Sequence, residues 1–215
     1  MTVIMGASFV AGVAIAGDTL LHEPGTMSKV MNSAKTMVVA NRVAIAQAGQ
    51  FTGTQPVWRE LEKLDPSAVT PQLVADCILA HAGAINADKV TNGGSLETWY
   101  LVGGLEQDGT PVIICMAIHR NEVQRFTGPG QIIAIGTQAD ATDRATVALK
   151  ASLKSLSNVA ELDTWVRKVV AGEAAASPQA VGFPATLVVI RRDNAIEANL
   201  DEAGVHHELL EGFFP

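Results

Sequence analysis

The sequence predicts an α+β fold: a four-layer αββα sandwich, in which two antiparallel sheets stack face to face between outer layers of helices. Three observations lead there. Strand-like and helix-like stretches come in blocks, strands, two helices, strands, two helices, strands, and not in the alternation that winds a parallel sheet. The strand runs "GVAIAGD" and "VAIAQAG" are rich in Ala, Ile and Val with little alternation, so both faces need cover. At 215 residues, 48% hydrophobic and 17% charged, the chain can bury such a core as a single domain spanning residues 1–215.

The elements follow in order. "TVIMGASF" and "GVAIAGD" are two short β-runs joined by a small-residue turn around Gly12. "LLHEPGTMSKVMNSA" is polar, carries Pro24 and Gly25, and reads as a loop. "KTMVVA", a turn at Asn41-Arg42, and "VAIAQAG" read as a hairpin. In "TQPVWRELEKL" the residues Val57, Trp58, Leu61 and Leu64 share one helical face; in "PQLVADCILAHAGAI" Leu73, Val74, Cys77, Ile78 and His81 do the same, behind Pro71 in the first turn. "ETWYLVGGLEQ" and "PVIICMAI", joined at Asp108-Gly109, read as a second hairpin, and "QIIAIGT" as a further strand. "DATDRATVALKASLKSL" predicts a helix with Ala141, Ala145, Ala148, Leu149 and Leu156 inward. "LDTWVRKVVAGEAAA" predicts another, and "ATLVVIRRDN" with "AIEANL" a last hairpin.

Composition narrows the function classes. The net charge of −7 argues against a nucleic-acid partner. No run reaches the ~18 consecutive apolar residues of a membrane span, and no basic stretch precedes the first apolar residues as in a signal peptide. Cys77 and Cys115 lie in apolar runs outside any CxxC pattern, which predicts two reduced core thiols and a cytoplasmic location. His81, alone on an apolar face, reads as a satisfied core residue. His206, His207 and Glu208 cluster near the end, but adjacent histidines on a strand point to opposite faces, so no metal is expected, and no cofactor either. Phe213 and Phe214 suit either an interface or packing on their own domain.

Four segments carry a resemblance to the proteasome β-subunit and HslV-like family. "TVIMGASFVAGVAIAGD" resembles the family's opening strand pair, with a threonine first and an aspartate sixteen residues later. "KTMVV...RVAIAQAG" resembles its lysine-led hairpin ending in Ala-Gly. "IIAIGTQADATDRATVAL" resembles its Ile-Gly-Ser-Gly segment and following helix, and "AVGFPATLVVIRRDN" its late strand in HslV. "AIAGD" and "IAIGT" look nearest to HslV, and among its relatives to the HslV-like proteasome homologue of betaproteobacteria. The resemblance implies the N-terminal nucleophile hydrolase fold and a threonine peptidase.

It also implies roles. A threonine hydroxyl needs a base to become a nucleophile. Removal of Met1 would give Thr2 a free α-amine of pKa roughly 7.7–8.0, suited to that task near neutral pH. Lys35, paired with Asp18, would keep the amine neutral, because a like charge disfavours protonation. Lys29, in "MSKVM", is a rival for that place; Lys35 leads a strand and sits fourteen residues before Gly49, the spacing the family shows. Gly49 stands at the family's oxyanion-hole glycine. Thr137 stands where the family has a serine that touches the terminal amine. Leu21 and Gln47 would line an uncharged pocket for the substrate side chain before the cut. The family's later Asp and Ser near the terminus have no match around "SPQAVGFP".

The function expected is therefore a self-compartmentalised threonine endopeptidase acting on unfolded proteins or peptides. It would form a homo-oligomeric double ring of about twelve or fourteen subunits, with an ATPase unfoldase as a further partner. A non-catalytic ring subunit and a small-molecule amidase of the same class are the alternatives.

Overall fold

In the computed structural model the described residues are 2–22, 29–32, 35–49, 54–91, 97–152, 159–203 and 205–210. The strands are β1 Ile4–Phe9, β2 Gly12–Asp18, β3 Leu20–His22, β4 Lys29–Asn32, β5 Thr36–Val39, β6 Val43–Gly49, β7 Thr98–Leu105, β8 Pro111–Ala117, β9 Glu122–Thr127, β10 Ile132–Ile135, β11 Ala185–Arg191, β12 Ala195–Leu200 and β13 Val205–Leu210. The helices are α1 Gln55–Leu61, α2 Pro71–Ala80, α3 Ala82–Thr91, α4 Ala141–Ser152 and α5 Val159–Ala176.

Two antiparallel sheets form the centre. One runs β10-β1-β2-β11-β12-β13, the other β5-β6-β7-β8-β9, and β3-β4 is a separate two-stranded ribbon. Alternating residues of β1, β2, β6, β7 and β8 meet between the sheets: Ile4, Val13 and Ile15 pack on Ala44, Ala46, Leu101 and Ile113. The sheets approach closely there, since a Cβ on Gly103 would lie 2.7 Å from Ile15 and Val13 side-chain atoms. The opposite residues of each strand face helices. Tyr100, Val102 and Ile114 pack against Val57, Val74, Ile78 and Ile85 of α1 to α3. Met5, Ala14 and Leu187 pack against Leu149 of α4 and Trp165 and Val166 of α5. The four layers expected from the block order are present, and strands covered on both sides explain the runs of Ala, Ile and Val.

Four local expectations change. The segment read as a loop after Asp18 contains β3 and β4, paired antiparallel with a register shift at Leu21/His22. The second helix is two, α2 and α3, divided at His81, whose Nδ1 lies 2.9 Å from the Cys77 carbonyl oxygen. β9 is an added edge strand, exposed along most of its length, so its polar side chains hid it from a reading based on apolar runs. β13 extends the last hairpin through the "VHHELL" segment. Leu156, Phe213 and Phe214 lie outside the described residues. No described helix is long and apolar enough to cross a membrane.

Candidate active site

The site forms where three strands end together. Thr2 lies two residues before β1, Asp18 closes β2, and Lys35 directly precedes β5. β1 and β2 pair with Ile4 opposite Gly17, which brings the start of one strand to the end of the other. The ladder closes around Asp18: its N–H donates to the Val3 carbonyl at 3.1 Å, and its Oδ1 accepts from the Val3 N–H at 3.0 Å. Asp18 Oδ2 accepts from the Leu20 N–H at 3.2 Å. Lys35 reaches across from the second sheet. Its Nζ donates to Asp18 Oδ1 at 2.9 Å and also to the Thr2 hydroxyl.

All three side chains are buried, with exposures of 6% for Thr2, 0% for Asp18 and 1% for Lys35, so little water screens them. Burial pushes Lys35 below the ordinary lysine value, opposed by the charge and hydrogen bond of Asp18. Burial likewise pushes Asp18 up, opposed by Lys35 and by the Val3 and Leu20 N–H groups. The Lys35 backbone is fixed as well: its carbonyl accepts from the Gln47 N–H at 2.9 Å, and the next residue, Thr36, shares a 2.7 Å hydroxyl contact with Thr186 of β11. That contact ties the two sheets together beside the lysine.

The other expected residues are placed less uniformly. Gly49 ends β6, two residues beyond Gln47, with φ of +94°. A Cβ there would lie 2.0 Å from the Glu97 carbonyl oxygen, so both the backbone conformation and the space require glycine. Gln47 is fully buried opposite Tyr100. Leu21 lies on β3 and Lys29 on β4, but their side chains fall outside the described residues. Among the described side chains, Lys35 is the lysine that reaches Thr2 and Asp18. Met1 lies outside the described residues.

Thr137 follows β10. The β1–β10 register ends with Ile4 opposite Ile135, two residues before Thr137. Its hydroxyl, however, donates to Glu173 Oε2 at 2.8 Å, and its N–H donates to the same oxygen at 3.0 Å. Glu173, on α5 and 2% exposed, also accepts from Arg144 of α4. Burial would raise the Glu173 pKa, but the bonds from Arg144 and Thr137 outweigh it and hold the carboxyl below its ordinary range. Neither Glu173 nor Arg144 stood out in the sequence. A lone glutamate in "VVAGEAAA" carries no signal except its place on the face of α5 that includes Val166, Val169 and Val170.

A cavity of about 400 Å³ opens between the β9 edge and β10, lined by Trp99, Phe126, Ile133 and Ile135 among others, but not by Thr2, Asp18 or Lys35. Among the described residues, no three His, Cys, Asp or Glu side chains gather as a metal site. Cys77 and Cys115 are free thiols, half-buried and buried, and burial pushes both up, Cys115 to about 11.

Solved structures with the same architecture include a Gly-1 mutant of Anbu from Hyphomicrobium sp. strain MC1. It is 15% identical, has a TM-score of 0.66, and the match covers 100% of this chain and 90% of that one. Anbu from the same strain in another crystal form gives 14% identity, a TM-score of 0.65 and coverage of 99% and 90%. The fold is the N-terminal nucleophile hydrolase fold. No family model matches the sequence, and no curated protein does.

These findings correct the assignment made from sequence motifs. Membership of the proteasome β-subunit and HslV-like family, with the betaproteobacterial homologue nearest, does not stand: the similar structures named here are Anbu, at an identity that carries the fold and nothing finer. The reason is physical. Of the segments that suggested HslV, "AIAGD" is the end of β2 and "IAIGT" is the end of β10 with the two residues after it, and short apolar strands of such a sandwich carry little that distinguishes one relative from another.

Proposed function

We propose that this chain is a threonine peptidase that cuts peptide bonds with Thr2 as nucleophile once Met1 is removed. The observation that carries the reading is the buried hydrogen bond from the Lys35 ammonium to the Thr2 hydroxyl, with Asp18 behind the lysine. An ammonium donating to the attacking oxygen stabilises it as it loses its proton. The Thr2 α-amine takes that proton while the threonine oxygen bonds to the substrate carbonyl carbon. The Gly49 N–H accommodates the negative oxygen that results. Collapse breaks the C–N bond, and the proton passes to the leaving amine. Water then hydrolyses the ester on Thr2 and returns the enzyme. Leu21 and Gln47 are the residues for the side chain that precedes the cut.

Such a site in the cytoplasm would need seclusion, and we infer that identical chains assemble into a double ring with Thr2 inside. Val90 on α3 and Val147 on α4, each 67% exposed, support an assembly that covers the outer helices. Unfolded chains or peptides would be its substrates, and an ATPase that unfolds them is a partner for it.

The test is direct. Intact mass should show loss of Met1. A peptide boronate or epoxyketone should modify Thr2, and Thr2→Ala should hydrolyse no fluorogenic peptide while melting at the wild-type temperature. Full activity in Thr2→Ala would end this reading.

A further inference from the structure

Lys89 is a second buried lysine, and the reaction above makes no use of it. It lies on α3 with no exposed surface, and its ammonium donates to the hydroxyl of Thr98, which is equally buried. An ammonium is among the costliest groups to take out of water, and one helical turn earlier the same face carries Ile85. A helix that needed only packing would repeat the isoleucine. Buried charge of this kind concentrates at working sites.

What Lys89 holds is the wall of the Gly49 corner. Thr98 is the first residue of β7 and lies directly across from Gly49 in the β6–β7 ladder. Gly49 presses on the preceding peptide, so tightly that a Cβ would meet the Glu97 carbonyl oxygen at 2.0 Å. The direction of the Gly49 N–H therefore follows from where the 97–98 backbone sits. Lys89 fixes that backbone from the helix side through Thr98. His119 meets it from the turn after β8, with Nδ1 3.3 Å from the Thr98 nitrogen and from its carbonyl oxygen.

We propose that Lys89 is a positioning residue for the oxyanion site: through Thr98 it sets the Gly49 N–H. This rests on Gly49 acting as the oxyanion glycine in the reaction above. Burial lowers the Lys89 pKa to about 8, against an opposing contribution from Asp88, so the charge is present at neutral pH.

A group that acts only on the developing oxyanion changes kcat and the binding of tetrahedral mimics, and leaves ground-state binding alone. The full chain should be assayed with a fluorogenic peptide, a peptide aldehyde, which adds the Thr2 hydroxyl to form a tetrahedral oxyanion mimic, and the product peptide acid. Lys89→Met should lower kcat by about tenfold or more and weaken the aldehyde by the same factor, with KM and product affinity unchanged. Unchanged kcat and aldehyde affinity would overturn the proposal. So would an equal loss for substrate, product and aldehyde together with a lower melting temperature, the mark of a purely structural lysine. If Lys89→Met does not fold, Thr98→Val decides by the same split. Thr2→Ala separates the two readings: activity in Thr2→Ala removes the peptidase reading, whereas an inert Thr2→Ala beside a fully active Lys89→Met removes only the role of Lys89.

Discussion

Asp18 and Lys35 form a pair in which neither member tolerates the loss of the other. Asp18 has 0% exposure and Lys35 1%, and they meet at 2.9 Å. Lys35→Met leaves a carboxylate buried without its counter-ion, and Asp18→Asn leaves an ammonium in the same condition. Each should cost about 3–5 kcal/mol in denaturant unfolding. The double variant removes both charges and should recover much of that cost, so the two losses should be far from additive. Additive losses would show that the pair does not act as a unit. These residues stood out in the sequence through the resemblance to the proteasome β-subunit and HslV-like family, which matched them by position to that family's aspartate and lysine; taken singly, Asp18 reads as a turn residue and Lys35 as a solvated charge. Lys89 did not. It lies four residues after Ile85 and so on the buried face of α3, but a single lysine among polar helix residues reads as a solvated charge. The Thr98 hydroxyl, which accepts from its ammonium across the helix–strand contact, is visible in the structure and not in the sequence.

At the scale of elements, β1 is held on both sides, by β10 and by β2, and α5 supports the segment beyond β10 through Glu173. Burial opposes the Glu173 charge, and the bonds from Arg144 and Thr137 overcome it, so the folded pKa lies below the ordinary 4.5. The sign follows. The unfolded carboxyl protonates first as pH falls, so the stability Glu173 contributes is complete above about 4.5 and drains away below it. Glu173→Gln should be less stable at neutral pH and should lose less stability than wild type on acidification below 4.5; parallel acid limbs in thermal melts would contradict this. The inner strands were readable from composition alone because both their faces are apolar. β9 was not, since an edge strand facing solvent carries Glu122, Gln124 and Arg125 and lacks the pattern that identifies the rest. The division between α2 and α3 was hidden because apolar spacing runs on past His81.

For the whole molecule, the layer order was legible because blocks of strands and helices dictate how sheets can be covered. Family was not, because short Ala, Ile and Val strands satisfy the same packing in any relative. The proposed ring gives a whole-molecule prediction. Native mass measured at micromolar concentration should show a particle of about twelve or fourteen chains, each of 22.5 kDa. A stable monomer would contradict the ring and leave the site open to folded proteins around it.

The position of Asp18 between early and late parts of the chain has a consequence for synthesis. β2 pairs with β1 on one side, but on the other with β11, where Asp18 lies opposite Ala185 and the Thr19 N–H donates to the Pro184 carbonyl at 3.1 Å. A chain emerging amino-terminus first thus presents Thr2, Asp18 and Lys35 early, while β11, the strand that pairs with β2 at Asp18, begins about 150 residues after Lys35. At typical translation speeds of ~5–20 residues per second, several seconds to half a minute pass in between. During that interval the Asp18 end of β2 lacks its β11 neighbour, so Thr2, Asp18 and Lys35 exist in the nascent chain before the frame that holds them together.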